Sequence, residues 1–342
     1  MSGLSPLGEL SGGGAPLLGP AAGQQLLGEE TLAERDKFES KIIEAKGPWK
    51  LAWDRLRRDR VAIGSFIVIV LIACMAILAP LGSAITGHGM DAQYRLTGLS
   101  PSGIPVGPRW HFPLGADEEG RDLLVRVFYG ARISLLVGVT SAALAVAGGV
   151  VLGMLAGFFG GLVDTIMARV FDVVLAMPYL VFALALVAAI GGQGGVLIDI
   201  AVISFFSFGA VARIVRGQVL SIKEKEYIEA AHSLGAGSLR VMFVDIFPNL
   251  LAPVIVYFSL LVPASIVFEA TLAFLGLGSP PPTPDWGSML QEAINWYNPA
   301  WWYVVFPGGA LLVTTLAFNL LGDSVRDAFD PRYNRIFVSE GS

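Results

Sequence analysis

Hydrophobic and polar positions alternate along this chain in blocks of tens of residues, and the blocks predict its elements. Val61 to Leu81 is a run of 21 residues without a charge. As a helix rising 1.5 Å per residue it is roughly 30 Å long, enough to cross the hydrocarbon core of a bilayer. Further apolar segments follow at about 133–158, 164–190, 196–211, 250–268 and 303–321. Within the first of these, Ala145, Gly149, Gly153 and Gly157 are spaced four apart on one helical face, a stripe that admits another helix at close range. The next follows a Gly160-Gly161 turn and is interrupted by Pro178, and Arg169 and Asp172, three apart on it, can pair locally.

The polar interruptions are as informative as the spans. Between the fourth and fifth lies KEYIEAAHSLGAGSLRVMFVDIFPN, residues 225–249, patterned as two short amphipathic helices around a glycine turn. At 100° per residue Tyr227, Ala230, Ala231 and Leu234 share a stripe, with Glu226, Glu229 and Ser233 opposite. Gly235 and Gly237 are expected to break the first helix, and Pro248 to close the second before the next apolar run. A second long interruption, 82–132, carries five arginines. Near its end, Val125, Phe128, Arg126 and Arg132 suggest an amphipathic entry into the second span.

Charge orients the spans. WKLAWDRLRRDR, residues 49–60, sets five basic residues against two aspartates just before the first span, which places the N-terminal side in the cytosol. Trp49 and Trp53 there suit a headgroup layer. Arg213 and Arg216 lead into the 225–248 hairpin, more arginines follow the last span, and residues 275–303 carry no Lys or Arg. The expectation is an all-α polytopic membrane protein of six transmembrane helices with both termini cytosolic. Residues 82–132 form an external loop and 225–248 a cytosolic one. Residues 1–48 read as a cytosolic extension, partly disordered, whose charged stretch EETLAERDKFESKIIEAK forms a short helix.

Composition agrees. The 342 residues are 54% hydrophobic and 15% charged, where a soluble domain would carry about 25% charged residues. No basic patch with interleaved aromatics speaks for nucleic acid. Cys74 is the single cysteine and cannot form an intramolecular disulfide. His88, His111 and His232 are dispersed, and Asp117, Glu118 and Asp122 read more readily as a solvated acidic turn than as a cation site. No Gly-Lys-Ser/Thr phosphate-binding loop, nucleophile elbow or HExxH occurs in the sequence, so no catalytic residue and no cofactor or metal site is assigned.

Four blocks carry a resemblance. Glu229-Ala230-Ala231, Gly235 four residues later and Pro248 thirteen beyond resemble the EAA loop of ABC-importer permeases, with Asp245 and Phe247 where that family has Ile and Leu. HFPLGADEEGRDLLVRVFYGARISL (111–135), EATLAFLGLGSPPPTPDWGSML (269–290) and FNLLGDSVRDAFDPRY (318–333) resemble the oligopeptide/dipeptide/nickel permeases, specifically their C-type subunit, over about 50–335. The resemblance implies a type I ABC-importer permease fold in the bacterial inner membrane. Its implied partners are a second, homologous permease, two ABC ATPase subunits that bind ATP and Mg, and an external substrate-binding protein. It implies that Tyr227, Glu229, Ala230, Ala231, Gly235 and Pro248 couple this chain to the ATPases, that peptides are the substrate and that no ATPase site is its own. Nickel chelates or opines are the alternative cargo. A different class, an ion-gradient-driven secondary transporter, would need a relay for which Asp172, Asp199 and Glu269 are the candidates.

Overall fold

The structure, a computed structural model, describes residues 47–189 and 194–330. The chain divides into two compact units, 1–51 and 52–342. Of the first unit only 47–51 are described, so the expected charged helix of the extension lies outside the described residues. Helix α1, Pro48–Leu56, begins there.

Every long element among the described residues is helical, as the block pattern requires. Helix α2 is Arg60–Ile77, capped by the Asp59 carboxylate, which accepts from the Val61 N–H at 2.8 Å. A hydrogen bond from Ser324 to that carboxylate outweighs its burial and holds Asp59 below the ordinary carboxylate range. Helix α3, Leu123–Phe159, runs 37 residues, and α4, Gly161–Ala176, follows it directly. Pro178 then bends the chain by 83° into α5, Tyr179–Ala189. Its ring excludes the α conformation from Met177, which is extended at φ −73° and ψ 130°. Helix α6 is Val196–Lys223, α7 is Glu226–Ser233, α8 is Phe247–Leu272, α9 is Trp286–Ala293 and α10 is Trp301–Phe329. Among the described residues five helices are long and apolar enough to cross a membrane, six if the bent α4–α5 pair is one span.

The small-residue stripe of α3 is the seam of the bundle. A Cβ on Gly149, Gly153 or Gly157 would fall 2.6, 2.5 or 2.8 Å from Val211, the Ala212 carbonyl or Val219, so α6 lies against backbone there. Arg213 takes Asp172 from α4 at 2.5 Å, while Arg169, the neighbour expected to pair with it, stands off at 3.9 Å. An arginine from the facing helix reaches the carboxylate more directly than one on the same face.

Residue 248 does not close a second short helix. Ser238–Arg240 continues through a π-helical stretch, Val241–Ile246, into α8, so 238–277 is one rod of 40 residues. Proline lacks an N–H and its ring crowds the preceding turn. The widened turn, with Phe247 N–H bonding the Met242 carbonyl, makes room for Pro248 without ending the helix. A second π turn, Ala273–Leu277, ends the rod where Gly276 adopts φ +84°.

Candidate functional site

The first helix of the 225–248 hairpin, α7, is fastened by a buried residue that sequence patterning left out of its stripes. Ile228 is 1% exposed and enters a core shared by Val150, Met154 and Phe158 of α3, Val215 and Val219 of α6, and the start of the 238–277 rod. Ala231 packs half-buried at its edge. Of the stripe read from the sequence, all but Ala231 lie on the surface: Tyr227 is 44% and Leu234 89% exposed, with Ala230 and the opposite-face Glu229 exposed beside them. The chain reverses at Gly235, φ +83°, while the Ala236 N–H bonds the Ala231 carbonyl at 3.0 Å. Gly237 is extended at φ −69°, a conformation open to any residue, so the reversal rests on Gly235 alone. Lys223 donates to the Phe158 carbonyl at 2.7 Å, joining the last turns of α3 and α6 under the hairpin. The hairpin thus presents an apolar, acid-flanked tip on a base welded to three long helices.

The other end of the bundle gathers residues of the 111–135 block against α9 and α10. Asp117 is fully buried and accepts from the Arg121 backbone N–H at 2.8 Å and its Nε at 2.5 Å, with Arg126 Nε at 3.3 Å. Both arginines also reach Glu292 of α9 at 3.3 Å, and Tyr303 of α10 donates to that carboxylate at 2.7 Å. Burial works against the Arg121 charge, and Asp117, Glu292 and Glu119 together more than offset it, holding the guanidinium above its ordinary value. Arg126 is therefore not the polar edge of an amphipathic entry; it is 2% exposed inside this network. Asp117, Glu118 and Asp122 diverge: Glu118 accepts from Trp296 Nε1 at 2.8 Å, and Asp122 meets His88 Nδ1 at 2.7 Å while capping α3. Among the described residues no three His, Cys, Asp or Glu side chains are placed to share a metal ion.

The glycines and tryptophan of the 269–290 block have a packing reason. Trp286 is fully buried, its Nε1 donating to the Val127 carbonyl at 3.1 Å, and a Cβ on Gly287 would lie 2.3 Å from the Ala270 carbonyl. Asp285 caps α9 through a reciprocal bond pair with Ser288, a signal readable as Asp-Trp-Gly-Ser. Of the three carboxylates weighed as a charge relay, Asp199 and Glu269 are buried, whereas Asp172 is exposed and belongs to Arg213.

Comparison with known proteins accords with this architecture. Residues 149–335 match the family "Binding-protein-dependent transport system inner membrane component", and 47–97 match the "N-terminal TM domain of oligopeptide transport permease C". The chain belongs to the binding-protein-dependent inner-membrane permeases. It is 39% identical over 285 residues to the di/tripeptide transport system permease protein DppC of Pseudomonas aeruginosa, covering 83% of this chain and 92% of that one. It is 40% identical over 308 residues to the oligopeptide permease protein OppC of Escherichia coli, covering 90% and 99%. It is 38% identical over 286 residues to the glutathione permease protein GsiD of Pectobacterium atrosepticum, covering 83% and 91%. It is a multi-pass protein of the bacterial inner membrane and a transport component without ATPase activity of its own.

Proposed function

We propose that this chain forms half of the membrane pathway of an ATP-driven peptide importer, and that residues 225–248 are the handle through which two ABC ATPase subunits move it. The handle end faces the cytosol and the 82–122 end faces outward, following the basic clusters at 50–60 and 213–240. A second, homologous permease completes the pathway, an external binding protein delivers the peptide, and the ATPases hold ATP and Mg. The relatives compared are named for dipeptides, tripeptides, oligopeptides and glutathione, which favours peptides over nickel chelates or opines.

The observation that carries the coupling role is the split personality of α7. Ile228 is locked into the core of α3, α6 and the 238–277 rod, while Tyr227, Glu229, Ala230 and Leu234 stay exposed. A partner that grips the exposed side displaces those helices as a body, because a packed core transmits rather than absorbs a push. In this reading Glu229 supplies charge-assisted hydrogen bonds, Ala230 permits close approach, Ala231 seats the helix, Gly235 makes the turn and Pro248 sits in the π-widened start of the rod.

Glu229→Lys and Gly235→Val test it. Each variant is expected to insert normally yet to bind the ATPases about 10-fold or more weakly, from loss of roughly 1.5–3 kcal/mol at a charged contact or a strained turn. Co-purification and substrate-stimulated ATP hydrolysis read this out. Unchanged complex yield, hydrolysis and uptake in both variants contradict the role.

A further inference from the structure

A cavity of about 370 Å³ lies at the end of the bundle opposite the hairpin, and the coupling role makes no use of it. Its wall joins three distant stretches: Arg121 and Arg126 around the start of α3, Ser279 and Thr283 in the turn after the 238–277 rod, and Gln291 and Glu292 of α9. That volume falls in the range of roughly 300–1,000 Å³ usual for small-ligand pockets.

The two guanidinium groups in this wall differ in what they have left to give. Every nitrogen of Arg121 has a carboxylate: Nε meets Asp117 at 2.5 Å, Nη1 meets Glu119 at 2.8 Å and Nη2 meets Glu292 at 3.3 Å. Arg126 holds Asp117 and Glu292 only at 3.3 Å, through Nε and Nη2. Its Nη1 has no acceptor among the described residues, although the side chain is buried. The Ser279 hydroxyl, buried in the same wall, is unpartnered as well. A buried donor left without an acceptor costs about 1–3 kcal/mol, and more when it is charged. Two of them around one cavity call for an acceptor that the chain does not supply.

The chemistry of these donors selects the ligand. A guanidinium edge and a hydroxyl suit the two oxygens of a carboxylate, which accepts hydrogen bonds and cannot donate them. The competing anion is Glu292. Its contacts to both arginines are long, and it keeps the Tyr303 hydroxyl at 2.7 Å if it yields Arg126. Thr283 and Gln291 place further donors in the wall for an adjoining amide. We infer that this cavity binds the carboxylate end of a short peptide, with Arg126 Nη1 and the Ser279 hydroxyl as its donors. That the carboxylate belongs to a peptide rests on the importer reading above; the preference for a carboxylate follows from the cavity itself.

Saturation-transfer NMR of the full chain in nanodiscs of zwitterionic lipid tests it, with tri-alanine as probe, its C-terminal amide as control and acetate as competitor. Tri-alanine is expected to bind, acetate to displace it, and the amide to bind about 5-fold or more weakly. Ser279→Ala should weaken tri-alanine binding about 3–10-fold by removing one donor. Glu292→Gln keeps an oxygen for Tyr303 while removing the competing charge, so it should tighten binding several-fold. Because the two substitutions act in opposite directions, a general loss of folding cannot imitate the result. Equal binding of peptide and amide, displacement by inorganic phosphate in preference to acetate, or unchanged affinity in both variants overturns the site. Peptide uptake by the assembled importer is scored separately. Uptake with no binding at the cavity discards the site and keeps the importer. Carboxylate binding in an assembly that carries no peptide keeps the site and discards the importer.

Discussion

At the scale of single residues, side-chain absence matters as much as presence. Gly153 has no room for a methyl group, since a Cβ there would sit 2.5 Å from the Ala212 carbonyl and 2.9 Å from Val215. Gly217, on the facing helix, is exposed and has nothing within 4 Å. Gly153→Ala should therefore cost about 1–3 kcal/mol as α3 and α6 are forced apart. Gly217→Ala should be neutral or gain up to about 1 kcal/mol from helix propensity. Thermal unfolding of the two variants in the same detergent separates them, and equal losses would show that the seam tolerates a wider spacing. The stripe 145-149-153-157 was readable from spacing alone, but which helix fills it was not. Nothing in the stretch 211–219 advertises itself as the partner.

At the scale of elements, helix ends are secured by groups that also belong to tertiary contacts. Asp122 caps α3 by accepting from the Leu124 N–H at 2.9 Å and pairs with His88, whose ring stacks on Phe112 at 4.8 Å. Asp122→Ala removes a cap and strands a histidine partner together, so a loss of about 1–2 kcal/mol is expected in the melting of the full chain. Asp91→Ala, exposed in the same connection, should change it by less than about 0.5 kcal/mol. Equal shifts in the two would mean that the cap is redundant. The 238–277 rod is the element where local rules misled. Pro248 reads as a stop because proline ends α-helices, and it is accommodated because the turn before it is π-helical. That choice depends on Val241, Met242 and Ile246 reaching the core beside Ile228, a gain no window of sequence contains.

At the scale of the whole molecule, the hairpin and the three long helices under it should behave as one body. With Cys74 replaced, spin labels at Glu226 on the hairpin and Gly217 on α6, both exposed, would report their separation in the assembled complex. We expect one distance, unchanged when the ATPases bind nucleotide, while a distance from Glu226 to the second permease changes. A hairpin–α6 distance that broadens or shifts with nucleotide would mean that the hairpin hinges, and that force is lost at its base. The same rigidity bears on the opposite end. There Asp117, Arg121, Arg126, Glu292 and Tyr303 tie the long connection to α3, α9 and α10 through contacts up to 171 residues apart.

The sequence alone determined that the chain is helical and membrane-spanning, and that a short amphipathic helix ending in a glycine reversal comes between its apolar runs. Those properties follow from hydrophobicity summed over twenty residues and from proline and glycine acting on their neighbours. The tertiary structure decided which face of α7 is buried, which helix lies in the glycine seam, that Arg126 is interior and that Asp199, Glu269 and Asp285 are buried. These depend on pairings between stretches tens to hundreds of residues apart, for which short-range pattern holds no energy term.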